Sequence, residues 1–279
     1  RPTVCMQHGL QVSLWIACCF SLAFTAWWGG AFRSWRGLPT WPMLLLLAIT
    51  LILSKSLGAW LLALLAVSVI LIGRQTRTTI AAISVAAVIP AYFIMRTSGV
   101  FNGQPIVQLV SDHVSQDKGE SLAFRLMNEE MLIDKALAQP IFGWGGWGRN
   151  RVLDEWGVNQ TVTDGLWIIT LGINGFVGLG SLYAMLLTGP VRMIRRCQPS
   201  RWRKQPEAVF AFGLSLACIL HTVDSLPNAM VIPVFVVATG AITSASHSRA
   251  RHCVGSNLKP LRSRPRRSSP FGSRGIVGN

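Results

Sequence analysis

Long stretches of this chain carry no ionised side chain: 12–32, 37–54, 57–73, 78–95, 165–191 and 225–246, with 208–223 a seventh if His221 is neutral. A helix needs about 20 apolar residues, roughly 17–25, to cross the hydrocarbon core of a bilayer, and runs of this kind supply them. Composition agrees. Only 13% of the 279 residues are charged, against about 25% in a soluble domain, which is too few to cover a globular surface. The 51% apolar content excludes a disordered chain. The six cysteines have no regular spacing, and Cys18 and Cys19 sit inside an apolar run, which argues against a disulfide-stapled secreted domain. The expected fold is therefore all-α: a polytopic membrane protein with about seven transmembrane helices and one large external loop holding an amphipathic helix.

A net charge of +15 looks at first like a nucleic-acid signature, but its distribution points elsewhere. Nine of the eleven acidic residues lie in 97–165, whereas 33–40, 74–77, 192–207 and 247–279 are net positive. Alternation of this kind follows from the positive-inside bias, so charge here reports topology, and no nucleic-acid partner is expected. The stretch 37–73 is broken only by Lys55 and flanked by Arg33, Arg36, Arg74 and Arg77. Two crossings with a turn at 54–56 keep both arginine pairs in the cytoplasm. Parity then gives helices 1–4 in 1–96, a periplasmic loop at 97–165, helices 5–7 in 166–246 and a basic cytoplasmic tail at 247–279. This layout puts the N-terminus outside and suggests further helices upstream. The tail (Lys259, Arg262, Arg264, Arg266, Arg267, with Pro and Ser between) reads as disordered. It is either a solvated end that sets topology or a patch for anionic lipid.

A 69-residue loop is long enough to need a purpose. Its first part, 97–120, is polar and reads as irregular. A helix is expected over 121–138, capped by Ser121 and stopped by Pro140, with Leu122, Leu126, Met127, Met131, Ile133 and Leu137 spaced for burial. Arg125 and Glu129 stand one turn apart and can pair on the helix surface, with Asn128 beside them. Alternatively, Arg125 is an anion clamp at the membrane edge. Then comes Pro140-Ile-Phe-Gly-Trp-Gly-Gly-Trp-Gly-Arg-Asn-Arg151. Such a turn can cradle phosphate through backbone N–H groups, with Arg149 and Arg151 adding charge, or it can serve as an interfacial anchor. Asp164 sits where the chain re-enters the membrane. It either favours a helix start or takes a proton from a sugar hydroxyl.

Taken in order, these pieces resemble the O-antigen ligase/polymerase superfamily of bacterial envelope glycosyltransferases, over roughly 54–180. Ser54-Lys55-Ser56-Leu57-Gly58-Ala59 matches the family's Ser-Arg-Gly-Ala-like element, with Lys55 in place of Arg. Arg125 matches the Arg that opens the loop helix, and Pro140, Gly143 and Gly145 match its Pro-x-x-Gly-x-Gly turn. Gly175-Phe-Val-Gly178 sets a register that puts Asp164 in the slot of a His. The resemblance implies a metal-independent, cofactor-free glycosyl transfer at the outer face of the bacterial inner membrane. The donor would be a glycan on undecaprenyl diphosphate and the acceptor a hydroxyl on a lipid or another glycan, with ligase and polymerase both open. In this reading Lys55, Arg125, Arg149 and Arg151 hold the diphosphate, and Arg125 and Asp164 are catalytic. Arg grips phosphate oxygens bidentately whereas Lys acts as a point charge.

His221 and Asp224 fall one turn apart near the outer end of a span, either supporting the site or forming a buried pair that stabilises packing. No metal-ligand spacing occurs among the five histidines. Two other function classes remain: a transporter or flippase for an anionic lipid or lipid-linked glycan, and a structural anchor whose loop binds a partner.

Overall fold

A computed structural model describes residue 3 and residues 6–35, 37–202 and 205–255. It is all-α apart from a two-residue hairpin, β1 (Ser34–Trp35) against β2 (Leu38–Pro39). Helices α1 (Gly9–Trp28), α2 (Trp41–Leu53), α3 (Leu57–Thr76) and α4 (Ile80–Thr97) come first. The loop contributes α5 (Gln104–His113) and α6 (Gln116–Leu137), and α7 (Leu166–Arg196), α8 (Pro206–Asp224) and α9 (Pro233–Gly255) complete the bundle. Each uninterrupted run in the sequence forms a helix.

Among the described residues five helices, α1, α3, α4, α7 and α8, are long and apolar enough to cross a membrane, and the chain is a polytopic membrane protein. The expected count of seven is not confirmed, since α2 and α9 fall outside that set. The 13 residues of α2 rise only about 20 Å at 1.5 Å per residue, less than the roughly 30 Å of the hydrocarbon core. The expected hairpin between α2 and α3 does form at Ser54, Lys55 and Ser56. Large apolar side chains on the outer surface, among them Leu46, Leu64, Ile94 and Val237, are exposed as a lipid-facing surface requires. Inside, the main core joins α1, α3, α4, α7, α8 and α9 around Ile70, Phe212, Leu216 and Ile219. α1 and α8 approach closely because Gly213 sits over Leu22 and Thr25.

The loop departs from its expected form. Residues 97–120 are not irregular: α5 occupies part of them, and α6 begins at Gln116 with Ser115 rather than Ser121 at its cap. Asp117 in the first turn favours this earlier start. The buried face of α6 carries Asn128, Leu132, Ile133 and Ala136, while Met127 and Leu137 are exposed. That face packs on α4 and α7 in a second core with Ile89, Trp167 and Tyr183. At the other end, α9 continues helically to Gly255, and the basic tail beyond it lies outside the described residues.

Helix α7 is broken at Gly175, whose φ of 64° and ψ of −166° leave the helical region. A break inside a span strands backbone groups that lipid cannot satisfy. The glycine turn satisfies them. Trp144 and Gly145 donate their N–H groups to the carbonyls of Gly172 and Ile173, while Phe176 and Val177 donate to Pro140 and Ile141. Only glycine fits at 143, where a Cβ would come within 2.6 Å of the Gly175 nitrogen and φ is +71°.

Candidate functional site

At the bundle end that carries α5 and α6, a crevice of about 460 Å³ opens between the start of α3, the N-terminal half of α6, and the segment after α8. Lys118, Ser121, Leu122 and Arg125 line it in the i, i+3, i+4, i+7 pattern of one α6 face. Ser56, Asp224 and Asn228 add polar groups, and Leu10, Leu14, Leu57 and Leu61 give it an apolar flank. An apolar cavity of about 330 Å³, walled by Leu62, Phe101 and Ile106, shares Leu122, Asp224 and Pro227 with it. On the other side of Arg125 lies a much smaller chamber of about 70 Å³, lined by Tyr92, Glu129, Val162 and Asp164 as well as Arg125 itself. Arg125, with Leu122 and Pro227, lines both, and is the charged part of the partition between a wide compartment and a narrow one.

Arg125 and Asp164 form an ion pair, Nε to Oδ2 at 3.4 Å, with 35% and 40% of the side chains exposed. A second guanidinium nitrogen of Arg125 reaches the Pro227 carbonyl and Asn228 Oδ1, both at 3.4 Å. Asp164 is delivered by its neighbours. The buried Asn128 accepts a hydrogen bond from the Val162 N–H at 2.9 Å. The Leu166 N–H donates to the Ser225 carbonyl at 3.0 Å, tying the start of α7 to the end of α8. Asp164 stands just ahead of the α7 cap residue Gly165, where the helix dipole favours a carboxylate.

The expected surface pair between Arg125 and Glu129 does not form. Arg96, in the last turn of α4, captures Glu129 instead at 3.5 Å, with 2% and 12% of the side chains exposed. The Tyr92 hydroxyl donates to the Glu129 carboxylate, 3.0 Å from each oxygen. Burial pushes the Glu129 carboxyl above its ordinary value, against the opposing pull of Arg96 and of the Tyr92 hydroxyl. Tyr92, Arg96 and Lys118 were not singled out in the sequence. The heptad stripe containing Lys118 becomes visible once α6 is started at Gln116.

The remaining candidates divide. Lys55 is exposed, at φ 50° in the turn beside Ser56, which lines the crevice, while Lys55 itself does not. Arg149 and Arg151 also lie off the crevice, because their glycine turn is docked against the break in α7. Of the turn expected to cradle phosphate, the Trp144 and Gly145 N–H groups are spent on α7. Asp224 lines the crevice and the apolar cavity. His221 is buried and stacked on Phe235, with ring centroids 4.5 Å apart, and no hydrogen bond or ion pair joins it to Asp224. Among the described residues, no three metal-ligating side chains gather.

The site is a largely apolar crevice at one end of a helical membrane bundle, into which Lys118, Arg125 and Asp224 bring the charged groups. The family model described as O-Antigen ligase matches residues 42–182, just over half of the chain. The chain belongs to the O-antigen ligase family. The match runs from α2 into α7 and takes in Lys55, Arg125, the glycine turn and Asp164, whereas Asp224 lies beyond it. No curated protein and no solved structure matches the chain. Family membership identifies a glycosyltransferase-like protein of polysaccharide biosynthesis.

Proposed function

We propose that this protein transfers a glycan from undecaprenyl diphosphate to a hydroxyl on a lipid or glycan acceptor, at the outer face of the bacterial inner membrane. The observation that carries this reading is the Arg125–Asp164 pair, whose arginine borders both compartments and whose carboxylate lines the narrow one. The wide crevice takes the diphosphate, with Arg125 and Lys118 on its oxygens and the apolar flank against the first units of the lipid. Lys55 contributes from the rim as a point charge. The narrow chamber takes the attacking hydroxyl. The acceptor oxygen forms a bond to the sugar's anomeric carbon, the bond from that carbon to the phosphate oxygen breaks, and the lipid diphosphate leaves with the electron pair. Asp164 takes the hydroxyl proton. Arg125 stabilises the charge that grows on the leaving group, so side-chain cations fill a role that a metal ion fills elsewhere.

Charge supports the assignment of sides. Arg74, Arg192 and Arg196 lie at the opposite ends of helices that begin beside the crevice, so the positive-inside bias puts the crevice outside. A carrier is favoured less. It would need the α7 break as a ligand site, and that break is filled by the glycine turn.

The test is gel analysis of envelope polysaccharide from cells carrying the wild-type gene, no gene, or the Arg125→Ala or Asp164→Asn gene. Loss of attached long chains with accumulating lipid-linked polymer identifies a ligase. Accumulation of single repeat units identifies a polymerase. An unchanged profile in the gene-free cells sinks the proposal.

A further inference from the structure

The buried polar group Tyr92–Glu129–Arg96 makes and breaks no bond in that reaction, although Tyr92 and Glu129 also wall the narrow chamber, and it is an expensive thing to keep. A buried ion pair sacrifices the hydration of both charges, and apolar side chains of similar volume often hold helices together equally well or better. What the polar version supplies is direction. Tyr92 and Arg96 are one turn apart on α4, and both bond to Glu129 of α6. Arg96 also donates to the Leu126 carbonyl at 3.1 Å, on the residue next to Arg125, and to the Phe101 carbonyl at 3.0 Å where the loop leaves α4. Together these bonds specify both the depth and the rotation of α6 against α4. Arg125 is one turn before Glu129 on the same helix.

We propose that Arg96, Glu129 and Tyr92 are positioning residues: their directional bonds lock the rotation of α6 so that Arg125 is held at the partition between the two compartments. This rests on the reading of Arg125 as the group that meets the leaving diphosphate. The network acts through Arg125, so its loss must appear in the step where leaving-group charge develops.

The experiment is a mutant cycle on the full-length protein in nanodiscs, with glycan transfer from a lipid diphosphate donor as the assay. Arg96→Met/Glu129→Leu replaces the network by apolar side chains. Its kcat should fall about tenfold with the donor KM changed less than about threefold, the pattern of an interaction made in the transition state. Adding the same double change to Arg125→Ala should cause no further loss, because residues that act through one another are not additive. A full additional tenfold loss on the Arg125→Ala background would reduce the network to general support and overturn the proposal, as would unchanged kcat in the double variant. If the double variant does not fold, Tyr92→Phe and Glu129→Gln in the same cycle decide, with Glu129→Gln retaining more activity because its amide can still accept from Tyr92. Full activity of Arg125→Ala would instead overturn the functional reading beneath it, a different result from an Arg125 effect with an indifferent network.

Discussion

Arg125 and Glu129 stand one turn apart on α6, and each has found a different partner. Arg125 reaches Asp164 with 35% and 40% of the two side chains in the open, whereas Glu129 meets Arg96 with 12% and 2%. The separations are almost equal, 3.4 and 3.5 Å, so distance does not distinguish them. Surroundings do. The open pair is worth only about 0–1 kcal/mol to folding, since water and salt compete for both ions. It can therefore open when a diphosphate arrives and offers Arg125 a better acceptor. The closed pair has no such freedom, because neither ion can leave without losing both partner and solvent. One helix thus carries a replaceable contact that handles ligand and an irreplaceable one that sets geometry.

The largest expected effect separates the two ions of the closed pair. Glu129→Leu leaves the Arg96 guanidinium buried without a counter-charge, and guanidinium cannot shed its proton. Denaturant unfolding in detergent should show a loss of about 3–5 kcal/mol. Arg96→Met should cost less, since Glu129 can take up a proton and become neutral. Equal losses would mean that the two ions are equivalent and that burial is not what governs them.

Next in size are the changes to the open pair, and they should be seen in turnover rather than stability. Arg125→Ala is expected to lower kcat by about 10²–10³, the range for removing one donor to a developing oxyanion. Asp164→Asn is expected to lower it by at least about 10², as for a lost general base. Neither should alter unfolding by more than about 1 kcal/mol. Arg125→Lys should restore only part of the rate, because an ammonium lacks the planar fork. A stability loss as large as that of Glu129→Leu would erase the contrast between the pairs.

The contrast itself was only half legible in the sequence. Spans declare themselves through uncharged runs, so α1, α3, α4, α7 and α8 could be read directly. Arg125 and Asp164 could be picked out as chemistry at the membrane edge, because an ion beside an apolar run is conspicuous. Their partners could not. Helical spacing offers Arg125 to Glu129, and nothing local says that Arg96 and Asp164, 29 residues before Arg125 and 39 after it, will outbid that neighbour. The glycine turn was ambiguous for a related reason: a run of glycines shows that the backbone must turn or approach something closely, not what it approaches. Here the object is the broken turn of α7. The helix α2 is shorter than its uncharged run because residues 38–39 of that run form β2.

Salt should sharpen the comparison by a smaller amount. Raising ionic strength from about 0.1 M to about 1 M shortens the Debye length from roughly 10 to 3 Å. Arg125 and Lys118 face an open crevice, so the donor KM should rise several-fold over this range. The Arg96–Glu129 pair is closed to ions, and the difference in unfolding free energy between wild type and Arg96→Met/Glu129→Leu should stay constant. A donor KM indifferent to salt would argue that the crevice does not bind its ligand through exposed cations.

The smallest effect is a slope with pH, and its sign tests which force governs Glu129. Burial raises the carboxyl above its ordinary value while Arg96 and Tyr92 pull it down, and burial is the larger of the two. The folded protein then holds the Glu129 proton at a pH where the unfolded chain, near the usual value of about 4.3, has released it. Across that window the folded state binds more protons, so stability must fall as pH rises and level off once the folded-state value is passed. Glu129→Gln cannot titrate and should lack this part of the slope, so the difference between the two unfolding curves isolates it. A difference of opposite sign, with wild type gaining stability as pH rises from 4, would mean that the attraction of Arg96 outweighs burial. The closed pair would then be a source of stability as well as of geometry, and the division of labour along α6 would have to be redrawn.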